Sequence, residues 1–172
     1  MVEMMVDSVR VNLVSPSRVV VLKECDGARY LAIMIGTAEA DAIAVKLQDR
    51  QVQRPLTHDL LRSLVDTVGA GVQHVSITKM VDQIYYANIA MTFNGRQLEV
   101  DCRPSDAIAL AVRVSVPILV DEEVLGQAGF EADQEQEDTE STDGDAEPVS
   151  EEKLEVFRKF IDQLDLDDFG RS

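Results

Sequence analysis

The sequence has no tryptophan, and aromatic residues make up only 5% of its 172 residues. It also lacks any run of 18 or more apolar residues, so a transmembrane helix and a membrane partner are not expected. No basic stretch followed by an apolar run opens the chain, which predicts a cytoplasmic protein without a signal peptide. The two cysteines, Cys25 and Cys102, are too few for a disulfide framework and lack metal-ligand spacing, so both are expected to be reduced and buried.

Positive charge is also in short supply. The net charge is −16, and it is uneven: residues 1–126 carry 12 basic and 16 acidic side chains, whereas residues 127–172 carry 4 basic and 16 acidic ones. Tight nonspecific binding to nucleic acid ordinarily requires a basic surface. Composition alone therefore gives no support to a tight nucleic-acid binder, although an enzyme that turns over does not need tight binding.

Three regions can be distinguished along the chain. Residues 1–126 alternate apolar segments with turn signals and are expected to form one domain. Residues 127–150 are acidic and nearly free of large apolar groups, which predicts a disordered linker. Residues 151–172 are predicted to contain an amphipathic helix, which is expected to dock on its own domain or on a partner subunit. Its apolar face is formed by Leu154, Phe157, Phe160, Ile161 and Leu164.

The sequence of residues 1–126 predicts an α+β fold made of two β-β-β-α units in one compact domain. The tetrapeptide Asp-Ala-Ile-Ala occurs at 41–44 and again at 106–109, each time at the start of a predicted helix that follows a strand. A hairpin signal precedes each copy, Asp26-Gly27 in the first and Asn94-Gly95 in the second. Tetrapeptide, turn and order of elements together indicate an internal duplication.

Comparison of the two copies shows which residues occur in both and which occur in the second copy alone. Asp41 and Asp106 occupy equivalent first-turn positions, where a carboxylate caps a helix, so both are expected to serve the fold. Asp101, Arg103 and Ser105 have no equivalents in the first copy. Strand alternation places Asp101 and Arg103 on one face, directly before the helix start. The strand side of this junction is therefore the candidate site.

Three separated motifs carry a resemblance to a known family. The stretches IGTAEADAIA (35–44), RPLTHDLL (54–61) and VDCRPSDAIALAVR (100–113, followed by VPILV) resemble the bifunctional nuclease (BFN) domain family over about residues 5–126. The resemblance implies a compact α+β domain that self-associates. It also implies cleavage of DNA and RNA with low sequence specificity.

The matching positions supply candidates for phosphodiester cleavage. Metal-assisted hydrolysis needs carboxylates that converge on a divalent ion. We expect Mg²⁺ or Mn²⁺ to be held by three catalytic carboxylates, Glu39, Asp101 and Asp106. On a metal-free route the catalytic general base would be His58. Substrate binding is assigned to Arg54, Arg103 and Ser105, with the arginine forks holding phosphate.

Simpler interpretations stand beside these. Arg103 paired with Asp101 or Glu39 would be an ion pair that joins the two repeats, and the sequence Thr57-His58-Asp59 would be a helix cap. The alternative function is then a noncatalytic regulatory domain that binds a small anion or a partner protein.

Overall fold

The structure is a computed structural model that describes residues 1–11 and 18–131. Within these ranges it has a mixed α+β fold with one eight-stranded sheet. The strands are β1 (Val2–Val11), β2 (Arg18–Glu24), β3 (Arg29–Ile35), β4 (Gly71–Val81), β5 (Ile84–Phe93), β6 (Arg96–Cys102), β7 (Ile118–Val120) and β8 (Gly129–Glu131). The helices are α1 (Thr37–Leu47), α2 (Thr57–Thr67), α3 (Pro104–Val114) and α4 (Glu122–Ala128).

The strands lie in the order β6-β5-β4-β7-β1-β2-β3-β8. Neighbours are antiparallel except β4 and β7, which are parallel. Three antiparallel strands followed by a helix occur twice, as β1-β2-β3-α1 and as β4-β5-β6-α3, with α2 between them. This order of elements was expected from the sequence, while the duplication itself stays a prediction.

Tight turns fix the second set of strands. Asn94 and Gly95 join β5 to β6 with φ angles of 51° and 74°, as the Asn-Gly signal predicts for a hairpin. Asp82 and Gln83 join β4 to β5 with φ angles of 50° and 65°. Two residues in the left-handed region match the right-handed twist of the flanking strands, so this second turn is also a rigid connection.

Helix α3 lies at the centre of the core. It contacts α1 and α2 as well as strands β4 and β5, and its residues 107–111 are almost completely buried. Three of these are the alanines Ala107, Ala109 and Ala111, whose small side chains allow neighbouring helices to approach closely. The larger buried side chains include Leu22, Leu31, Ile43, Ile77, Ile108 and Leu110. Each such side chain contributes about 1.5–3 kcal/mol by leaving water.

Two expectations from the sequence need correction. The predicted domain boundary at 126 falls inside α4, and β8 follows and pairs with β3, where the rings of Phe130 and Tyr30 stack 5.8 Å apart. Residues 127–131 are therefore part of the fold rather than of a linker. Cys25 is exposed and Cys102 is half-buried, so the expectation of two buried cysteines is wrong for Cys25.

Residues 132–150 of the predicted linker and the predicted helix at 151–172 lie outside the described residues. None of the helices in the described part of the chain has the length and apolar character that a bilayer crossing requires.

Candidate functional site

The first turns of α1, α2 and α3 line one cavity of about 600 Å³. This volume lies within the usual range of small-molecule sites. The helices come together here because α3 packs between α1 and α2. The polar side chains that line the cavity include Glu39 and Asp41 from α1, His58 from α2, and Arg103 and Asp106 from the start of α3.

Arg103 is the centre of this group. Its Nη2 lies 2.6 Å from Glu39 Oε1 and 2.9 Å from Asp106 Oδ1, and its Nε lies 2.6 Å from Asp106 Oδ2. The side chain is nevertheless 66% exposed, and its Nη1 donates to no other residue of the described chain. Hydrogen bonds to Asp106 and to Glu39 raise the pKa of Arg103, so the guanidinium stays charged. The ion pair between Arg103 and Glu39 that the sequence predicted is present.

Glu39 reaches Arg103 by folding back over the start of its own helix. A Cβ atom at Gly36 would collide with the Glu39 carboxylate. Glycine at the position before α1 therefore makes room for the carboxylate to meet Arg103, and this is a specific local requirement of the site.

Asp106 connects Arg103 to His58. Burial acts to raise the pKa of Asp106, but hydrogen bonds from Arg103 and His58 outweigh it and hold the pKa below its usual value. His58 Nε2 lies 3.2 Å from Asp106 Oδ1, and His58 is only 6% exposed. The other ring nitrogen, Nδ1, is buried without a hydrogen-bond partner in the described residues. With one nitrogen on Asp106 and the other buried, the ring is held in place beside the cavity, and the general-base role expected from the sequence stays a prediction.

A buried arginine, Arg113, contacts all three helices that line the cavity. Arg113 is 4% exposed and donates to the carbonyl oxygens of Ala42 in α1 and Ala109 in α3, at 3.0 and 2.8 Å. Its Nε also lies 2.6 Å from Oδ1 of Asp59 in α2. One side chain therefore holds the three helices that line the cavity.

Sequence reasoning did not single out Arg113. Its only signal is a charged residue near the end of AIALAVRV, a helix that is otherwise apolar. A buried arginine of this kind needs several acceptors, and these come from three separate segments that only the fold brings together.

The expected helix caps are wrong for α1 and α3, and at α2 the capping residue is Asp59. Neither α1 nor α3 has a side-chain cap, and the residues before them are Gly36 and Arg103. Asp106 binds side chains instead, and Asp41 is exposed in the wall of the cavity. At α2 the expected cap Thr57 is the first helical residue, and Asp59 Oδ2 accepts the backbone N–H of Leu56 at 2.8 Å. Asp41 is thus a site candidate that the capping interpretation concealed.

Three predicted site residues lie apart from this cluster. Asp101 is exposed on the edge strand β6, opposite Asn88, and does not line the cavity. The alternation argument failed because the strand ends at Cys102, and Arg103 precedes α3 with its side chain turned toward α1. Ser105 is buried and lines a second cavity. Arg54 is exposed beside the first cavity and makes no ion pair with another described residue.

The predicted metal site does not fit this arrangement. Asp101 is outside the cavity, and the guanidinium of Arg103 already binds oxygens of Glu39 and Asp106. Across residues 1–11 and 18–131, no group of three or more His, Cys, Asp or Glu side chains has the arrangement to hold a metal ion. Glu39, Asp101 and Asp106 therefore do not converge on one point in the described residues, and no step of the proposed reaction is assigned to Mg²⁺ or Mn²⁺.

Comparisons with known proteins identify the family to which the chain is similar. The family model described as Bifunctional nuclease domain matches residues 20–133. A Mycobacterium tuberculosis protein, "Uncharacterized protein Rv1829", is 39% identical over 167 residues, which cover 97% of each chain. "Bifunctional nuclease 1" of Arabidopsis thaliana is 33% identical over 110 residues, covering 62% of this chain and 34% of that protein. "Bifunctional nuclease 1" of Oryza sativa subsp. japonica is 29% identical over 120 residues, or 36% of its length. The matched region is thus about a third of these plant relatives.

Proposed function

Because the chain belongs to the bifunctional nuclease domain family, we propose that it cleaves phosphodiester bonds of DNA and RNA with low sequence specificity. The observation that carries the proposal is that two carboxylates hold Arg103 in place although its side chain is 66% exposed and lines the cavity. A fixed guanidinium with free donors is suited to a phosphodiester, because its planar fork matches two phosphate oxygens.

Arg103 binds the scissile phosphate in this account. Its Nη1 donates to no other described residue, and Arg103 is the only arginine among the described residues that line this cavity, so these free donors are available to the substrate phosphate. As water attacks phosphorus, negative charge grows on the nonbridging oxygens, and a preorganised donor stabilises that charge more strongly than it stabilises the ground state. Glu39 and Asp106 supply the preorganisation.

Asp41 takes the proton of the attacking water. Its carboxylate is exposed in the cavity wall and forms no ion pair within residues 1–11 and 18–131, so it is free to accept a proton. The water oxygen forms a bond to phosphorus, the bond to the leaving oxygen breaks, and that oxygen takes a proton from solvent. His58 holds Asp106 in the position that orients Arg103.

The charge of the cavity predicts weak and transient binding of nucleic acid. Three carboxylates, those of Glu39, Asp41 and Asp106, line it together with one guanidinium in the described chain. Among the described residues that line the cavity, a polyanion is therefore attracted only at Arg103, and turnover rather than affinity is the property to measure.

Cleavage assays with single- and double-stranded DNA and RNA test the proposal. We expect the full chain to cleave, and Arg103→Ala to lower the rate by about 10²–10³-fold, the usual loss when a preorganised charge-stabilising donor is removed. Arg96→Ala, which removes an arginine from the β5–β6 hairpin, is the matched control and should leave the rate unchanged. A wild-type chain that binds oligonucleotides through Arg103 without cleaving them would instead support the noncatalytic anion-binding alternative.

Self-association, the cytoplasmic location and docking of the C-terminal helix stay predictions. Light scattering on the full chain, compared with a chain lacking residues 132–172, tests the first and the third. An unchanged number of subunits after the deletion would show that the terminal segment does not hold subunits together.

A further inference from the structure

A second cavity, of about 370 Å³, lies on the other side of Arg103. Arg103 lines both cavities, so the two cavities adjoin at this residue. The second cavity lies between the end of β3 and the β4–β5 hairpin, with Ser105 of α3 in its wall. Its position makes it a neighbour of any phosphate that Arg103 binds.

The lining of the second cavity is largely apolar. Met34 and Ile84 are 74% and 60% exposed, although both are large apolar side chains at its rim. Tyr85 is half-buried there, and burial raises the pKa of its phenol, which therefore stays neutral. Ser105 and Gln83 add groups that can form hydrogen bonds. The cavity thus offers an aromatic ring and apolar contacts with a few polar groups, beside a fixed positive charge.

We propose that the second cavity holds the base of a nucleotide in single-stranded nucleic acid while Arg103 binds the adjoining phosphate; this rests on the proposed function. A nucleotide combines an anion with a flat, mainly apolar ring, which is the combination that Arg103 and the second cavity present. The volume falls within the range of small-ligand sites.

The strandedness follows from the geometry of the base. A base in a duplex is stacked and paired and cannot enter a cavity unless it is extruded, whereas a single strand presents its bases freely. Contacts with a ring and apolar side chains accept every base, which is consistent with low sequence specificity. The rigid turn at Asp82 and Gln83 holds Ile84 and Tyr85 in place before the base arrives.

The decisive experiment compares an intact oligonucleotide with one that lacks bases. Fluorescence anisotropy measures the affinity of the full chain for a ten-residue thymidine oligonucleotide and for an abasic strand of equal length. Titrations are run on ice, and gel electrophoresis verifies that both probes stay intact. We expect the intact strand to bind about tenfold more tightly, the usual order of the effect of one stacked base.

Substitutions in the lining of the second cavity test whether this cavity causes the difference in affinity between the two strands. Met34→Ser and Ile84→Ser change exposed side chains and should fold normally, and the double variant should lose most of the preference for the intact strand while binding the abasic strand as before. Tyr85→Leu should act in the same direction, and a thermal melt checks its stability because Tyr85 also packs against the core. Leu64→Ser, an exposed apolar residue of α2 outside both cavities, is the control.

The outcomes distinguish this proposal from the one on which it rests. Equal affinity for the intact and abasic strands, or a preference that survives the Met34→Ser/Ile84→Ser double variant, would overturn the base site. Arg103→Ala should weaken binding of both strands. If it weakens neither, the phosphate assignment fails and both proposals fall; if it weakens both while the base preference is absent, only the base site is wrong.

Discussion

Arg113 and Asp59 are 54 positions apart in the chain, yet their side chains meet at 2.6 Å beneath the candidate site. The arginine is almost fully buried and also binds carbonyl oxygens of α1 and α3, while the aspartate binds the backbone N–H that begins α2. This pair fixes the relative positions of the helices that carry Glu39, His58 and Asp106. The cavity therefore depends on a contact that lies outside it.

Removing Arg113 should destabilise the whole fold. Arg113→Ala removes the arginine's hydrogen bonds to Asp59 and to two carbonyl oxygens, and we expect the free energy of unfolding to fall by about 3 kcal/mol. Urea denaturation followed by circular dichroism measures the loss. Arg62→Ala is the control, because Arg62 and Asp66 form an exposed pair at 3.6 Å and such pairs contribute less than about 1 kcal/mol. Equal losses in the two variants would refute a structural role for the buried pair.

Acid should weaken the fold through Asp59 and Asp106. Burial acts to raise the pKa of Asp59, but the Leu56 amide and the Arg113 guanidinium outweigh it and lower that pKa. The pKa of Asp106 is lowered in the same way by Arg103 and His58. The unfolded chain then binds more protons, with an aspartate pKa of about 3.9, and stability rises with pH in this window. The contribution is fully present above about pH 5 and is lost as the pH falls below about 3.9 through the folded values. Unfolding measured between these conditions should show a smaller pH dependence for Asp59→Asn than for the wild type.

Asp41 and Asp101 provide a matched pair of carboxylates for the mechanism. Asp41 lines the cavity and Asp101 does not, although both are exposed. Asp41→Asn should lower the single-turnover rate of cleavage by about 10²-fold or more, because it removes the general base, while binding of the oligonucleotide is retained. Asp101→Asn should leave the rate unchanged. If Asp101→Asn lowers the rate and Asp41→Asn does not, the catalytic carboxylate is Asp101 on the edge strand, as the sequence alone suggested.

Binding of Mn²⁺ tests the arrangement of the carboxylates without any assay of activity. Arg103 occupies oxygens of Glu39 and Asp106, so we expect Arg103→Ala to bind Mn²⁺ more tightly than the wild type, as measured by the paramagnetic signal of the free ion. The acidic residues of 132–172 contribute the same background to every variant. If the wild type binds Mn²⁺ and both Glu39→Gln and Asp101→Asn abolish that binding, the three-carboxylate metal site predicted from the sequence is correct.

Local signals in the sequence were sufficient for the two sets of three strands and a helix and for the junction before α3, but not for α4 and β8. Helix α3 begins at Pro104, as its proline-led start predicts, and the turn at Asn94-Gly95 has the φ angles that this pair favours. These features depend on neighbouring residues. The pairing of Arg103 with Glu39 was one of two alternatives, the other being a pair with Asp101, and the structure shows the pair with Glu39.

The remainder depends on contacts between distant segments. Asp101 was grouped with Arg103 by strand alternation, but the strand ends between them, so the rule no longer applied. Arg113 gave little warning because its acceptors come from α1, α2 and its own helix. Asp41 was assigned to capping on the strength of its position, whereas the backbone groups at that helix start do not bind it. Sequence position predicted which residues were near the site but not what each one binds.

Chemical rescue of Arg103→Ala tests the central claim, that this guanidinium binds the scissile phosphate, most directly. The single-turnover rate of cleavage of a DNA strand is measured with and without added guanidinium ion, at constant ionic strength. The account predicts that the variant loses about 10²–10³-fold in rate and regains a measurable part of it with guanidinium, while Asp41→Asn does not respond. Cleavage by Arg103→Ala at the wild-type rate would contradict the account.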